Sequence, residues 1–343
     1  MLNYVDKGWV FNLMTKIKKT EVTLPEAYRM SLFPECIDFD IPGFKKHYIA
    51  GERNTLAIQV RDCAQWYNEM IDRVIKSCGK SFLPICRLSD GEYLFLLGHQ
   101  PKDVRLKYSF SEKIRNLISD LKWRVLLCGG LGPFTSGHYH SGRYSGWEWK
   151  RARINQPKLI KEIGEKGILA WHLNYESIPF AERYFPALNE WILKNKIKIT
   201  DQNYYPFYFV YAMLTGDRRS ELFKGRSVLV VNGALGEKRN KIINGLLEEG
   251  IREVFWCQIS LDKSLHDKIS VEKYIGQIDF VLVGAGIGKA SILVQLEKLQ
   301  VPCIDAGFIF EIWANNQNKY KRAYCASDDC WQKIESDPIV AGI

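Results

Sequence analysis

A chain of 343 residues, 46% of them hydrophobic and without internal repeat, can bury one large core or two moderate ones, so a globular, enzyme-sized protein is expected. Lys and Arg (48) exceed Asp and Glu (39), giving a net charge of +9, but the bases are dispersed; this suits solubility or an anionic ligand and does not mark a nucleic-acid footprint. No 18-residue apolar run is present, which excludes a membrane-spanning helix.

The opening stretch "MLNYVDKGWVFNLMTKIKK" lacks the uninterrupted apolar core of a signal peptide, although its basic, partly apolar composition also suits a short helix lying on a membrane surface. Pro25, Pro34 and Pro42 interrupt any long element in the next segment, so residues 1–54 are read as an irregular N-terminal extension. Between Thr55 and Cys78, apolar residues from Leu56 to Ile75 recur at steps of three and four, which predicts an amphipathic helix. "FLPIC" (82–86) comes next as a buried strand.

Helix and strand then alternate. "SEKIRNLISDLK" (111–122) precedes "RVLLC" (124–128), "QPKLIKEIGEKG" precedes "ILAWHL", and "FAERYFPALNEWILKNK" precedes "IKIT". In the last third, "SVLVV" (227–231), a helix over 237–249, "EVFWC" (253–257) and "DFVLVGAGIGKASILVQLEKLQVPCIDAG" complete the series, the final piece being a strand, glycine-rich turn, helix and strand. The pattern predicts an α/β fold: a mainly parallel, doubly wound, Rossmann-like sheet with helices on both faces, and ligands outside the carboxyl ends of the strands. A catalytic domain over 55–313 and a polar C-terminal tail over 314–343 complete the expected organisation. The nine cysteines sit largely in apolar runs, as buried thiols of a reducing cytoplasm do, and Cys325 and Cys330 have no second pair at zinc-ligand spacing.

Four predicted strand ends carry polar or glycine-rich sequence. The first is "RLSDGE", where Asp90 and Glu92 flank Gly91. On an extended segment or a tight turn the two carboxylates converge; about 4 Å apart they repel by roughly 4 kcal/mol at an effective dielectric near 20, and Mg²⁺ or Mn²⁺ would reverse that sign. The other reading is a helix start, with Asp90 as its cap and Glu92 favouring its positive end. The second is the loop "LLCGGLGPFTSGHYHSGRYSGWEWKRAR", with aromatics to stack on a sugar, bases for phosphate, and His138 and His140 as metal ligands, acid and base, or ordinary loop residues. At the third, Asp201 after "IKIT", and His172 and Glu176 after "ILAW", are candidate bases or ligands that could equally be structural. The fourth is "VGAGIGKAS", where Gly284, Gly286, Gly288 and Lys289 suit a phosphate, with Asp305 where a ribose-binding acid would stand. The spacing matches neither the Walker A pattern nor GxGxxG.

Together, Arg87, Asp90-Gly91-Glu92, Gly284 to Ala290 and Asp305-Ala306-Gly307 resemble the motifs of the GT-D fold glycosyltransferases, over roughly residues 80–313. Two departures stand out: Phe308 replaces the His that often follows Asp-x-Gly, and Asn232 replaces an acid in "VVNGALGEKRNK", where Lys238 or Arg239 would contact diphosphate. The resemblance implies a hexosyltransferase that moves a sugar from a nucleoside-diphosphate donor, foremost a UDP-sugar, to an acceptor hydroxyl. It further implies Mn²⁺ or Mg²⁺ on Asp90 and Glu92, donor contacts from Arg87 and the late glycine turn, and a general base at Asp201, His172 or the 138–140 loop. Surface-glycan or glycoprotein assembly on a glycan, glycopeptide or lipid-linked acceptor, in the cytoplasm or at the inner membrane face, would follow. An NAD-dependent dehydrogenase using the Gly284 turn and Asp305, or a non-catalytic nucleotide or glycan binder, are the alternatives.

Overall fold

The computed structural model describes residues 40–45, 57–59, 63–88, 90–97, 114, 146–171, 188, 191–192, 194–200, 202–216 and 218–315. A seven-stranded sheet is its centre, formed by β3 (Leu83–Leu88), β4 (Ile168–Trp171), β5 (Tyr204–Pro206), β6 (Ser227–Asn232), β7 (Glu253–Gln258), β8 (Phe280–Gly284) and β9 (Pro302–Asp305). The strands run in the order β5-β4-β3-β9-β8-β6-β7, and every neighbouring pair is parallel. The central strands β3, β4, β8 and β9 are buried along almost their whole length, as a parallel sheet covered on both faces requires. The expected doubly wound α/β architecture is therefore present.

The strand order reverses between β3 and β9. From β3 the sheet grows outward through β4 and β5, while β6 to β9 fill the other side. A crevice at the carboxyl ends of such a pair is the general ligand position of doubly wound sheets. Helices cover the sheet in two groups. One contains α2 (Asp90–Leu97), α3 (Gly146–Lys166) and α7 (Lys289–Gln295); the other contains α1 (Cys63–Ser77), α4 (Phe207–Thr215), α5 (Arg219–Phe223), α6 (Gly236–Glu248) and α8 (Ile309–Ala314).

Several elements differ from the sequence reading. Helix α1 starts at Cys63, not Thr55; Ala57–Gln59 instead form β2, antiparallel to β1 (Asp40–Lys45), so the segment read as irregular contributes one strand of a hairpin. Apolar spacing over a short window fits either period, and pairing decided it. Helix α3 begins at Gly146, so the end of the expected aromatic loop is helical, and Pro157 lies inside this 21-residue helix rather than near its start. "IKIT" (197–200) is not a strand; Asn203 pins this segment, donating from Nδ2 to the carbonyls of Lys198 (2.8 Å) and Gly164 (2.9 Å) and accepting from the Thr200 N–H (2.7 Å). The strand next to β4 is Tyr204–Pro206. The predicted strand 124–128 and all of the helix 111–122 except Ile114 lie outside the described residues. No described helix is long and apolar enough to cross a membrane.

Candidate functional site

Arg87 is the fifth residue of β3, in line with Leu83 and Ile85 on one face of a strand with no exposed position. Asp305 ends β9, the neighbouring strand across the switch point. A guanidinium delivered by that alternation cannot reach water, and the whole of Asp305 is turned to receive it. Nε donates to the Asp305 carbonyl (2.6 Å), Nη2 to Oδ1 (3.2 Å) and the Arg87 backbone N–H to Oδ2 (3.3 Å). The rings of Phe207 and Tyr211, in the first turns of α4, lie 5.1 and 4.6 Å from the guanidinium carbon.

Lys289 completes the cluster. It opens α7, and its Nζ lies 3.0 Å from Asp305 Oδ2 and 2.7 Å from Glu92 Oε1. Arg87, Asp305, Lys289 and Glu92 are 4%, 2%, 7% and 16% exposed at the side chain, so two cations and two anions are shut in together with no net charge. Burial works against the charge on Arg87, but the Asp305 carboxylate outweighs it and the guanidinium pKa is raised. Burial likewise opposes the Lys289 ammonium, and Asp305 and Glu92 together raise its pKa. Arg87 Nη1 is buried and meets no acceptor in hydrogen-bond geometry among the described residues, while the Tyr211 side chain packed on the guanidinium also favours its charge.

The glycines of "VGAGIGKAS" divide by role. A Cβ on Gly284 would overlap Asn232 Nδ2 and the Phe310 ring, and one on Gly288 would overlap Ser264. These two permit close packing. Gly286 has φ 51° and open space where a side chain would be, so it is the position at which backbone is accessible to a ligand. Helix α7 has only seven residues, and the Lys289 side chain at its start is turned into the cluster. Asn232, where the resembled family has an acid, shapes the loop: its Oδ1 accepts from Ala234 N–H (2.8 Å) and its Nδ2 approaches the Gly284 carbonyl (3.4 Å). Arg239, in the first turns of α6, stacks over Trp256 of β7 at 5.2 Å, while Lys238 pairs with Glu311.

Of the predicted site residues, Arg87, Glu92, Lys289 and Asp305 are brought into one cluster, and Gly284, Gly286 and Gly288 lie beside it. Arg239 stands at the far edge of the sheet. Asp90 is described in its backbone only, and His172, Asp201, His138 and His140 lie outside the described residues. Phe207, Tyr211 and Ser264 join the site without any sequence signal. Ser264 Oγ donates to the Ala285 carbonyl (2.7 Å) and so holds the glycine turn from below. A lone serine or ring in a sequence carries no spacing to read.

Of the DGE pair only the Glu92 side chain is among the described ones, and an ion there would share Glu92 with Lys289. Residues 90 and 92 both belong to α2. Glu92 already holds the Lys289 ammonium, and an ion about 4 Å from that ammonium would meet a repulsion of roughly 8 kcal/mol at an effective dielectric near 20. Among the described residues no three His, Cys, Asp or Glu side chains are grouped to hold a metal.

The fold and cluster define the class: a doubly wound α/β protein with a buried ionic site at its switch point. No family model and no curated protein matches the chain. Among solved structures, one titled "The highly conserved domain of unknown function 1792 has a distinct glycosyltransferase fold" is 13% identical, with 78% of this chain and 93% of that chain covered at a TM-score of 0.41. "A New Glycosyltransferase (DUF1792) from Streptococcus sanguinis" is 13% identical over 78% of this chain and 95% of that chain, with a TM-score of 0.42. Likeness at this level does not assign an activity to the chain.

Proposed function

We propose that this protein is a glycosyltransferase that moves a sugar from a nucleoside-diphosphate donor, foremost a UDP-sugar, to the hydroxyl of a glycan, glycopeptide or lipid-linked acceptor in surface-glycan assembly. The observation that carries the reading is the charge cluster at the β3/β9 switch point, with Arg87 Nη1 left without an acceptor. A guanidinium N–H without an acceptor suits a phosphate oxygen, which it binds with charge and direction. The "RLSDGE" and "DAG" motifs that resemble the GT-D enzymes supply Arg87, Glu92 and Asp305 of that cluster.

In the reaction the acceptor oxygen attacks the anomeric carbon, the bond from that carbon to the donor phosphate breaks, and the nucleoside diphosphate leaves with the electron pair. Negative charge grows on the leaving oxygen, where Arg87 would stabilise it. The acceptor proton passes to a general base, for which His172, Asp201 and the histidines of the 138–140 loop are the candidates. The +9 charge suits work at an anionic membrane face. A dinucleotide reading with Asp305 on a ribose lacks a free carboxylate, because both of its oxygens are engaged by Arg87 and Lys289.

Thermal denaturation of the full chain with UDP, GDP, CMP and NAD tests the reading, since a ligand of the native state raises the midpoint by mass action. A shift with one nucleoside phosphate, lost in Arg87→Lys, is expected, together with slow hydrolysis of the matching sugar donor. A shift with NAD alone would sink it.

A further inference from the structure

We propose that Lys289 is the resident cation of this site: its ammonium takes the place of a divalent ion between Glu92 and Asp305, and nucleotide binding does not need a metal. The second half of this statement rests on the glycosyltransferase reading; the first does not. Lys289 Nζ is within 2.7 Å of Glu92 Oε1 and 3.0 Å of Asp305 Oδ2, bridging two carboxylates drawn from different strand ends. A metal reading of the motif pairs Glu92 with Asp90; here Glu92 is paired through the Lys289 ammonium with Asp305 instead. With Arg87 on the far side of Asp305, these four charges sum to zero, so Glu92 and Asp305 are neutralised without an added ion.

Lys289 is held in that place by its surroundings. It stands on the buried stripe of α7 with Ile292 and Leu293, so its stem packs in the core and its head has nowhere to go except the two carboxylates. Gly288, which precedes it, is pressed against Ser264, and Ser264 is tied to the Ala285 carbonyl, so the turn that delivers the lysine has little freedom to withdraw it. Lys289 is thus a positioning residue. It offsets the charge of Glu92 and Asp305 and leaves Arg87 Nη1 as the group that meets an anion.

The experiment compares the full-length protein with Lys289→Met and Lys289→Arg. Uptake of Mn²⁺ is followed by loss of the free-ion electron paramagnetic resonance signal, and UDP, GDP and CMP binding by calorimetry in EDTA and in Mn²⁺. The unaltered protein is expected to take up no Mn²⁺ and to bind its nucleotide equally in both buffers. Lys289→Met, with two carboxylates uncovered, should bind Mn²⁺ at least roughly tenfold more tightly than the unaltered chain, and Lys289→Arg should not. Mn²⁺ uptake by the unaltered protein that Lys289→Met leaves unchanged or weakens would overturn the proposal, as would nucleotide binding abolished by EDTA. If Lys289→Met does not fold, the two measurements on the unaltered protein still decide. If no nucleotide binds in either buffer, the glycosyltransferase reading fails while the Mn²⁺ comparison continues to judge Lys289.

Discussion

Gly307 lies directly against the Arg87 guanidinium: a Cβ at position 307 would overlap Nη2, and the backbone there adopts φ 48°, the left-handed region. The glycine of "DAG" therefore follows Asp305 for a steric reason. Asp305 binds the arginine, and two residues later the chain must turn back over it without a side chain.

Gly307→Ala is accordingly expected to destabilise the protein by about 2–4 kcal/mol, combining left-handed strain with displacement of a buried donor. Urea denaturation measures the loss, and nucleotide binding should fall with it. Wild-type stability in this variant would show that the guanidinium has room to move.

Removing one partner of the buried pair tests the cluster itself. Arg87→Met leaves Asp305 with Lys289 alone, and Asp305→Asn leaves Arg87 and Lys289 both short of a charge; each should cost on the order of 3–5 kcal/mol. A double-mutant cycle should then show strong coupling between the two sites. Additive losses would mean that the pair does not act as a unit.

Asn203 predicts an asymmetry between two substitutions. Asn203→Ala strands the Lys198 and Gly164 carbonyls and should cost about 2–3 kcal/mol. Asn203→Asp has nearly the same shape but sets a carboxylate against those two carbonyls, so its thermal midpoint should be the lower of the two. The reverse order would refute the hydrogen-bond assignment.

Three buried thiols set an alkaline limit. Burial pushes Cys78 up to about 11, Cys86 up to about 12 and Cys303 well above its usual value. The unfolded chain loses these protons first, from 9.0 upward, so their contribution to stability is complete below pH 9 and disappears as pH rises towards 12. The raised pKa of Lys289 acts in the same direction, above 10.5. The thermal midpoint should decline between pH 9 and pH 11, and at about pH 8 a thiol reagent with peptide mapping should leave all three unlabelled until urea is added. Rapid native labelling of Cys86 would contradict its burial.

The order of strands from Ser227 to Asp305 is legible in the sequence because local signals agree there: β-rich apolar runs of about five residues, glycine at several of the turns, and helical spacing after β6 and β8. The same signals conflict around Pro157, which reads as a helix boundary but lies within α3, and at "IKIT", whose β-branched residues give way to the hydrogen bonds of Asn203. Lys289 carries a readable trace, a charge on the same helical stripe as Ile292 and Leu293, and a lysine in that position implies an acidic partner.

What the sequence determined by itself is therefore the class of fold and the strand ends that carry charged residues, since periodicity and turn chemistry are properties of neighbours along the chain. Which charges meet was decided by the sheet alone. Arg87 and Asp305 are 218 residues apart and share a site only because β9 lies beside β3. Glu92 finds a counter-charge in Lys289, far along the chain, because β8 and its helix come next in the sheet. Long-range pairing of this kind has no local code. It arises from strand order, and burial then makes each match compulsory, because an unpaired charge at the switch point would cost more than the fold could bear.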